Sequence, residues 1–187
     1  MDPRHDKRGF SLVELVMVLV LIGIMVNIVV PFLRPEKFRM DGAVILVGTT
    51  LTAQQRNAIL RQHDVVVAVD TAQRRLRVHY DTNNDATIDT GENWFVVELG
   101  DGVVFGRGGA PARPLSSQVV SMTTLQDGLP ALTFHRNGSA SEESVIYLTA
   151  ETAGSANTEE ARAVEIERAT GRVMCYSYAS GEWERKC

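Results

Sequence analysis

The sequence predicts an α+β fold in which a long N-terminal helix carries an antiparallel β-domain, and three observations predict it. Phe10 to Val30 form a run of 21 residues in which Glu14 is the only formal charge. From Glu36 to about Arg61 apolar positions recur at helical spacing. After His63 the period changes to two, in short runs separated by Gly and Pro clusters.

Taken in order, Met1 to Gly9 is a polar leader with Arg4, Lys7 and Arg8. The apolar run that follows is long enough, as a helix, to span a bilayer with some tilt. Basic residues lie on both sides of it, so charge bias sets only a weak orientation. A cleaved secretory signal would end in a small-residue site, yet this run passes into Asn27, Pro31 and Phe32 with no Ala-x-Ala. Glu14 is the anomaly, because a carboxylate in lipid costs roughly 2.5 to 3.5 kcal/mol on insertion scales. Pro31 removes a backbone donor, which predicts a helix kink there. Beyond it, Val44, Val47, Leu51, Ile59 and Leu60 predict an inner stripe on a helix reaching about Arg61, interrupted near Pro31 and Gly42.

The alternating stretches "DVVVAVD" and "RRLRVHY" predict a hairpin turning at Thr71 to Gln73. Further strands are predicted at "NWFVVEL", "GVVFG", "ALTFHR", "SVIYLT", "AVEIER" and "RVMCYSY". The 187 residues, less the apolar segment, suffice for one compact domain.

With 23 acidic against 19 basic side chains, scattered along the chain, the net charge of -4 gives no general reason to bind nucleic acid. No enzyme constellation is present: His5, His63, His79 and His135 stand alone, and no Gly-x-Ser-x-Gly elbow occurs. The chain is therefore read as a non-enzyme.

Gly9-Phe10-Ser11-Leu12-Val13-Glu14 resembles the type III signal of prepilins and pseudopilins. The resemblance implies cleavage after Gly9 by the prepilin peptidase, N-methylation of Phe10, and filament assembly through Glu14 pairing with a neighbouring subunit's amine. It further implies a pilin-like lollipop and a division into leader (1–9), transmembrane helix (10–32), amphipathic extension (33–62) and periplasmic β-domain (63–187). The expected setting is the bacterial inner membrane, single-pass. Expected partners are the peptidase, other major and minor pseudopilins, the inner-membrane assembly platform and membrane lipid.

The helix-then-strands order, with "LTFHRNGSA", "SVIYLT" and "AVEIERATGRVMCYSY", resembles the GspH/FimT group of minor pseudopilins and minor pilins. The function this implies is a type II secretion pseudopilus subunit, with a type IV pilus minor pilin in pilus assembly or DNA uptake as the alternative. In that group DNA uptake is associated with a Gly-Arg-x-Arg element. Here Gly171-Arg172-Val173-Met174 lacks the second arginine, leaving Arg172, Arg185 and Lys186 as candidate phosphate contacts, and nucleic acid is not expected as a partner.

Two further features stand on residues alone. In "DTNNDATIDTGE", Asp81, Asn83, Asp85, Thr87, Asp89 and Glu92 occupy positions one, three, five, seven, nine and twelve, the oxygen spacing of an EF-hand Ca²⁺ loop. Ala86 holds the sixth position, where glycine is favoured, so a solvated acidic hairpin loop is the other reading. With a cation bound, the chain could instead serve as a membrane-anchored calcium-binding adaptor. Cys175 and Cys187 read as a disulfide if the domain is exported and as free thiols if it is not.

Overall fold

The computed structural model describes residues 11–29, 35–85, 87–151 and 158–187. Two compact units result, Met1–Pro35 and Glu36–Cys187. In the first, α1 spans Leu12–Val29, with Glu14 in its first turn. Pro31 and its expected kink lie outside the described residues.

In the second unit α2 spans Pro35–Arg61, unbroken at Gly42. A single glycine costs a helix only about 1 kcal/mol, and the packing of Met40, Ala43 and Val44 on both sides of it offsets that cost. Gln62, at φ 58°, ends the helix in the left-handed region. The buried stripe runs Met40, Ala43, Val44, Val47, Leu51, Gln54 and Ala58. Val44, Val47 and Leu51 fall on it as expected, whereas Ile59 and Leu60 do not: Leu60 is 78% exposed. They follow Ala58 by one and two residues, which turns them about 100° and 200° away from the stripe at 3.6 residues per turn.

Two five-stranded antiparallel sheets complete the unit. The first comprises β1 (Asp64–Asp70), β2 (Arg75–Asp81), β3 (Trp94–Glu98), β5 (Thr124–Gln126) and β6 (Leu129–Phe134), in the order β3-β2-β1-β6-β5. The second comprises β4 (Val103–Phe105), β7 (Ser144–Ala150), β8 (Arg162–Ile166), β9 (Val173–Ala179) and β10 (Glu182–Arg185), in the order β10-β9-β8-β7-β4. The eight expected strands are present; β5 and β10 are additional.

Alternation decides what each sheet buries. Val65, Val67, Val69, Leu76 and Val78 point inward from the first sheet, and Ile146, Leu148, Val164, Ile166 and Cys175 from the second; both sets join the α2 stripe in one core. Arg162 is a charged member of that interior, 1% exposed. Its guanidinium donates to Asp41 of α2 at 2.9 Å and to the carbonyls of Glu159 and Ala161 at 2.8 and 2.9 Å, so a buried cation is paired and bonded.

Candidate functional site

α1 presents apolar side chains on every side, and Leu12 through Val26, Glu14 included, are exposed in this chain alone. At 1.5 Å per residue its 18 residues reach about 27 Å. Among the described residues no helix is long and apolar enough to cross a membrane. A helix apolar all round is stable in an apolar environment. Gly9 and Phe10, the expected cleavage and methylation positions, lie outside the described residues. The Leu15 N–H donates to the Ser11 carbonyl at 3.1 Å, so helical bonding begins one residue after Phe10.

On the β-bearing unit, Cys175 and Cys187 form a disulfide with a Cα separation of 4.9 Å. It tethers the chain end to β9, where the Lys186 N–H also donates to the Cys175 carbonyl at 2.8 Å. The bond lies directly on α2: a Cβ built on Gly48 would stand 2.6 Å from Cys175 Sγ and 3.6 Å from Cys187 Sγ. Ile45, Gly48, Thr52, Arg56, Leu60 and Cys187 line an open groove of about 560 Å³ along the helix. Nothing in the sequence marks Gly48, since its partners are 127 and 139 residues away. Farther along α2, the Gln55 amide donates to the carbonyls of Gly138 and Thr170. Gly171 is required there: its φ is 62° and a Cβ would lie 2.3 Å from the Gly138 oxygen.

The acidic loop between β2 and β3 is tied at both ends. Asn84 accepts from the Asp64 N–H at 2.8 Å. Glu92 accepts from the Thr82 N–H at 2.6 Å and its hydroxyl at 2.8 Å, from the Asp89 N–H at 3.1 Å, and lies 2.7 Å from His79 Nε2. Burial alone would raise the Glu92 carboxyl, yet these donors outweigh it and hold the group at about 2. His79, itself 1% exposed, meets the Gln126 amide nitrogen at 2.9 Å on its other ring nitrogen. Within the loop, the Asp85 N–H donates to Asp81 and Asn83, and the Asn83 amide donates to Asp85 and Asp89 at 2.8 Å each. The Thr87 hydroxyl holds the Asp85 carboxyl below its ordinary range. Among the described residues no group of three or more His, Cys, Asp or Glu side chains is placed to hold a metal ion.

Each of the three candidate phosphate contacts has a partner within the chain. Arg172 precedes β9 and donates to Met174 Sδ, Arg185 donates to the Cys187 carbonyl, and Lys186 pairs with Glu184 at 3.4 Å.

The family described as the prokaryotic N-terminal methylation motif matches residues 4–26, the segment that holds Gly9, Phe10 and Glu14. Beyond that segment the chain is similar to pilin-like proteins. Pilin-like protein PilA1 of Thermus thermophilus is 26% identical over 133 residues, covering 61% of this chain and 85% of that protein. In fold, this chain is similar to the minor pseudopilin EpsH of the type 2 secretion system of Vibrio cholerae. That likeness has a TM-score of 0.51 at 15% identity, over 77% of this chain and 99% of EpsH. It is also similar to the type IV minor pilin FimU of Pseudomonas aeruginosa, with a TM-score of 0.50 at 12% identity, over 80% and 95%. These similar proteins are described as pilins and pseudopilins.

Proposed function

We propose that this chain is a minor pseudopilin of a type II secretion system, a structural subunit cut after Gly9, methylated at Phe10 and assembled into a short periplasmic filament. The observation that carries this reading is Glu14: a lone carboxylate in the first turn of an apolar helix, inside the matched motif. Such a charge is tolerable in low dielectric when an opposite charge meets it, and the methylated amine of a neighbouring subunit supplies one. The likeness to EpsH supports the secretion branch and the disulfide supports a periplasmic domain. Inner-membrane anchoring and support of protein export belong to the same proposal. The division into 1–9, 10–32, 33–62 and 63–187 goes with it, although α2 shares a compact unit with the strands.

Deleting the chain in its own host is expected to retain secreted proteins inside the cell and leave surface pili intact. The likeness to FimU supports a second reading as a type IV minor pilin, which the reverse phenotype, lost pili with normal secretion, would establish. Replacing Glu14 by Leu is expected to leave peptidase processing unchanged and abolish incorporation into filaments, read by shearing and immunoblot.

Binding of Ca²⁺ by Asp81, Asn83, Asp85, Thr87, Asp89 and Glu92 is a separate proposal that rests on their spacing. Millimolar Ca²⁺ should then raise the melting temperature of the chain and of Cys187→Ser but not of Asp81→Ala; an unchanged melting curve removes it.

A further inference from the structure

Strand order alone would keep β5 away from β2, because β1 and β6 lie between them. At about 4.8 Å per strand, that is roughly 14 Å in a flat sheet. Yet the Gln126 amide nitrogen meets His79 Nδ1 at 2.9 Å, and the Arg77 guanidinium donates to Asp127 at 2.7 Å. The end of the β5–β6 hairpin therefore folds back across the outer face of the first sheet, the face that Arg77 and His79 take when Leu76 and Val78 point inward. Beneath it lie Val66, 2% exposed, and Ala68 and Ala131, both 0% exposed, with Leu129 of the hairpin packed against them.

The fold-back has a local cause. β1 pairs with β6 as far as Ala68 with Ala131, whereas Leu129 and Pro130 pair with β5. The two-residue turn makes Leu129 bond to Gln126, so by alternation residue 130 faces β1, and a proline there has no N–H to give. The other arm is anchored at Thr123 and Thr124, whose N–H groups donate to Glu142 at 2.8 and 3.2 Å. Between these anchors the hairpin is held by an ion pair whose Asp127 is 54% exposed, by the small apolar cluster, and by Gln126, whose Oε1 is buried without a hydrogen-bond partner. Exposed ion pairs contribute little, and a stranded polar atom opposes closure.

We propose that Leu125 to Pro130 form a flap that opens from the first sheet while the rest of the domain stays folded, hinged at Thr124 and Ala131. The turn, with Asp127 at φ 52° and Gly128 at φ 78°, and the Gln126–Leu129 pair both lie within the moving piece, so it swings as a unit. Closed, it hides Val66, Ala68 and Ala131 from water. Open, it lets water reach the Gln126 oxygen and brings those three residues to the surface as an apolar strip. The flap lies wholly within the β-bearing unit, so its failure would leave the reading of Glu14 untouched.

The test uses the full chain, whose own two cysteines are joined, so an added cysteine is its one free thiol. Val66→Cys lies under the flap, and Val164→Cys lies in the main core, where a reagent arrives through global unfolding. With each rate scaled to the unfolding free energy of its own variant, maleimide should modify position 66 at least about tenfold faster than position 164. Ala68→Cys gives the same comparison with Val66 intact. Asp127→Asn keeps a residue suited to the turn and removes the ion pair; it should raise the rate at 66 about threefold and leave the rate at 164 and the melting curve unchanged. Equal scaled rates under the flap and in the core, or a rate at 66 that Asp127→Asn does not change, would overturn the proposal.

Discussion

Gly48 shows how far one hydrogen reaches in this molecule. A methyl group there would overlap Cys175 Sγ at 2.6 Å, so the disulfide and α2 approach as closely as they do only because the position has no side chain. Gly48→Ala should therefore destabilise by about 1 to 3 kcal/mol, the range for overpacking a filled site, despite alanine's higher helix propensity. A lower midpoint in denaturant unfolding is the expected readout; an unchanged or higher midpoint would mean that the tail moves freely away from the helix. Glu92 makes a second residue-scale prediction. Its carboxyl lies near 2 in the folded chain against an ordinary 4.5, so it stabilises the fold above about pH 4.5 and that contribution is lost as pH falls toward 2. Glu92→Gln should flatten the acid limb of the stability profile in that window. Neither residue could be found from the sequence by these roles: Glu92 was visible as a twelfth-position oxygen, but its ties to His79 and Thr82 depend on how the loop folds back over β2.

Among the elements, those with strong periodicity were legible. β2 turns Leu76 and Val78 inward in alternation, β1 is apolar from Val65 to Val69 and buries Val66 and Ala68 against Ala131 on its other face, and the α2 stripe follows the 3.6-residue period from Met40 to Ala58. Ile59 and Leu60 misled because residue type indicates that a side chain is apolar, whereas the face it takes depends on its angle from the stripe. β10 was invisible because "EWER" has no apolar alternation; it forms by pairing Arg185 with Tyr176 and Glu182 with Ala179, and the disulfide closes its far end. Removing that closure with Cys187→Ser should cost about 3 kcal/mol on the chain-entropy model and lower the melting temperature by several degrees. Amide exchange in β10 should quicken more than in β1; uniform quickening would place the bond's contribution elsewhere.

For the molecule as a whole, the sequence announced its resemblance to prepilins through one short stretch, Gly9 to Glu14, and its architecture through a change of period after His63. What it could not announce was the division into two sheets, since the order β3-β2-β1-β6-β5 and the order β10-β9-β8-β7-β4 join strands far apart in the chain. The central claim is that this chain is a pilin-like subunit matured at its N-terminus. Intact mass of the protein purified from membranes of cells with and without prepilin peptidase tests it most directly. Loss of Met1 to Gly9 and gain of one methyl group are predicted only where the peptidase is present; the full-length, unmethylated chain in both strains would contradict the claim.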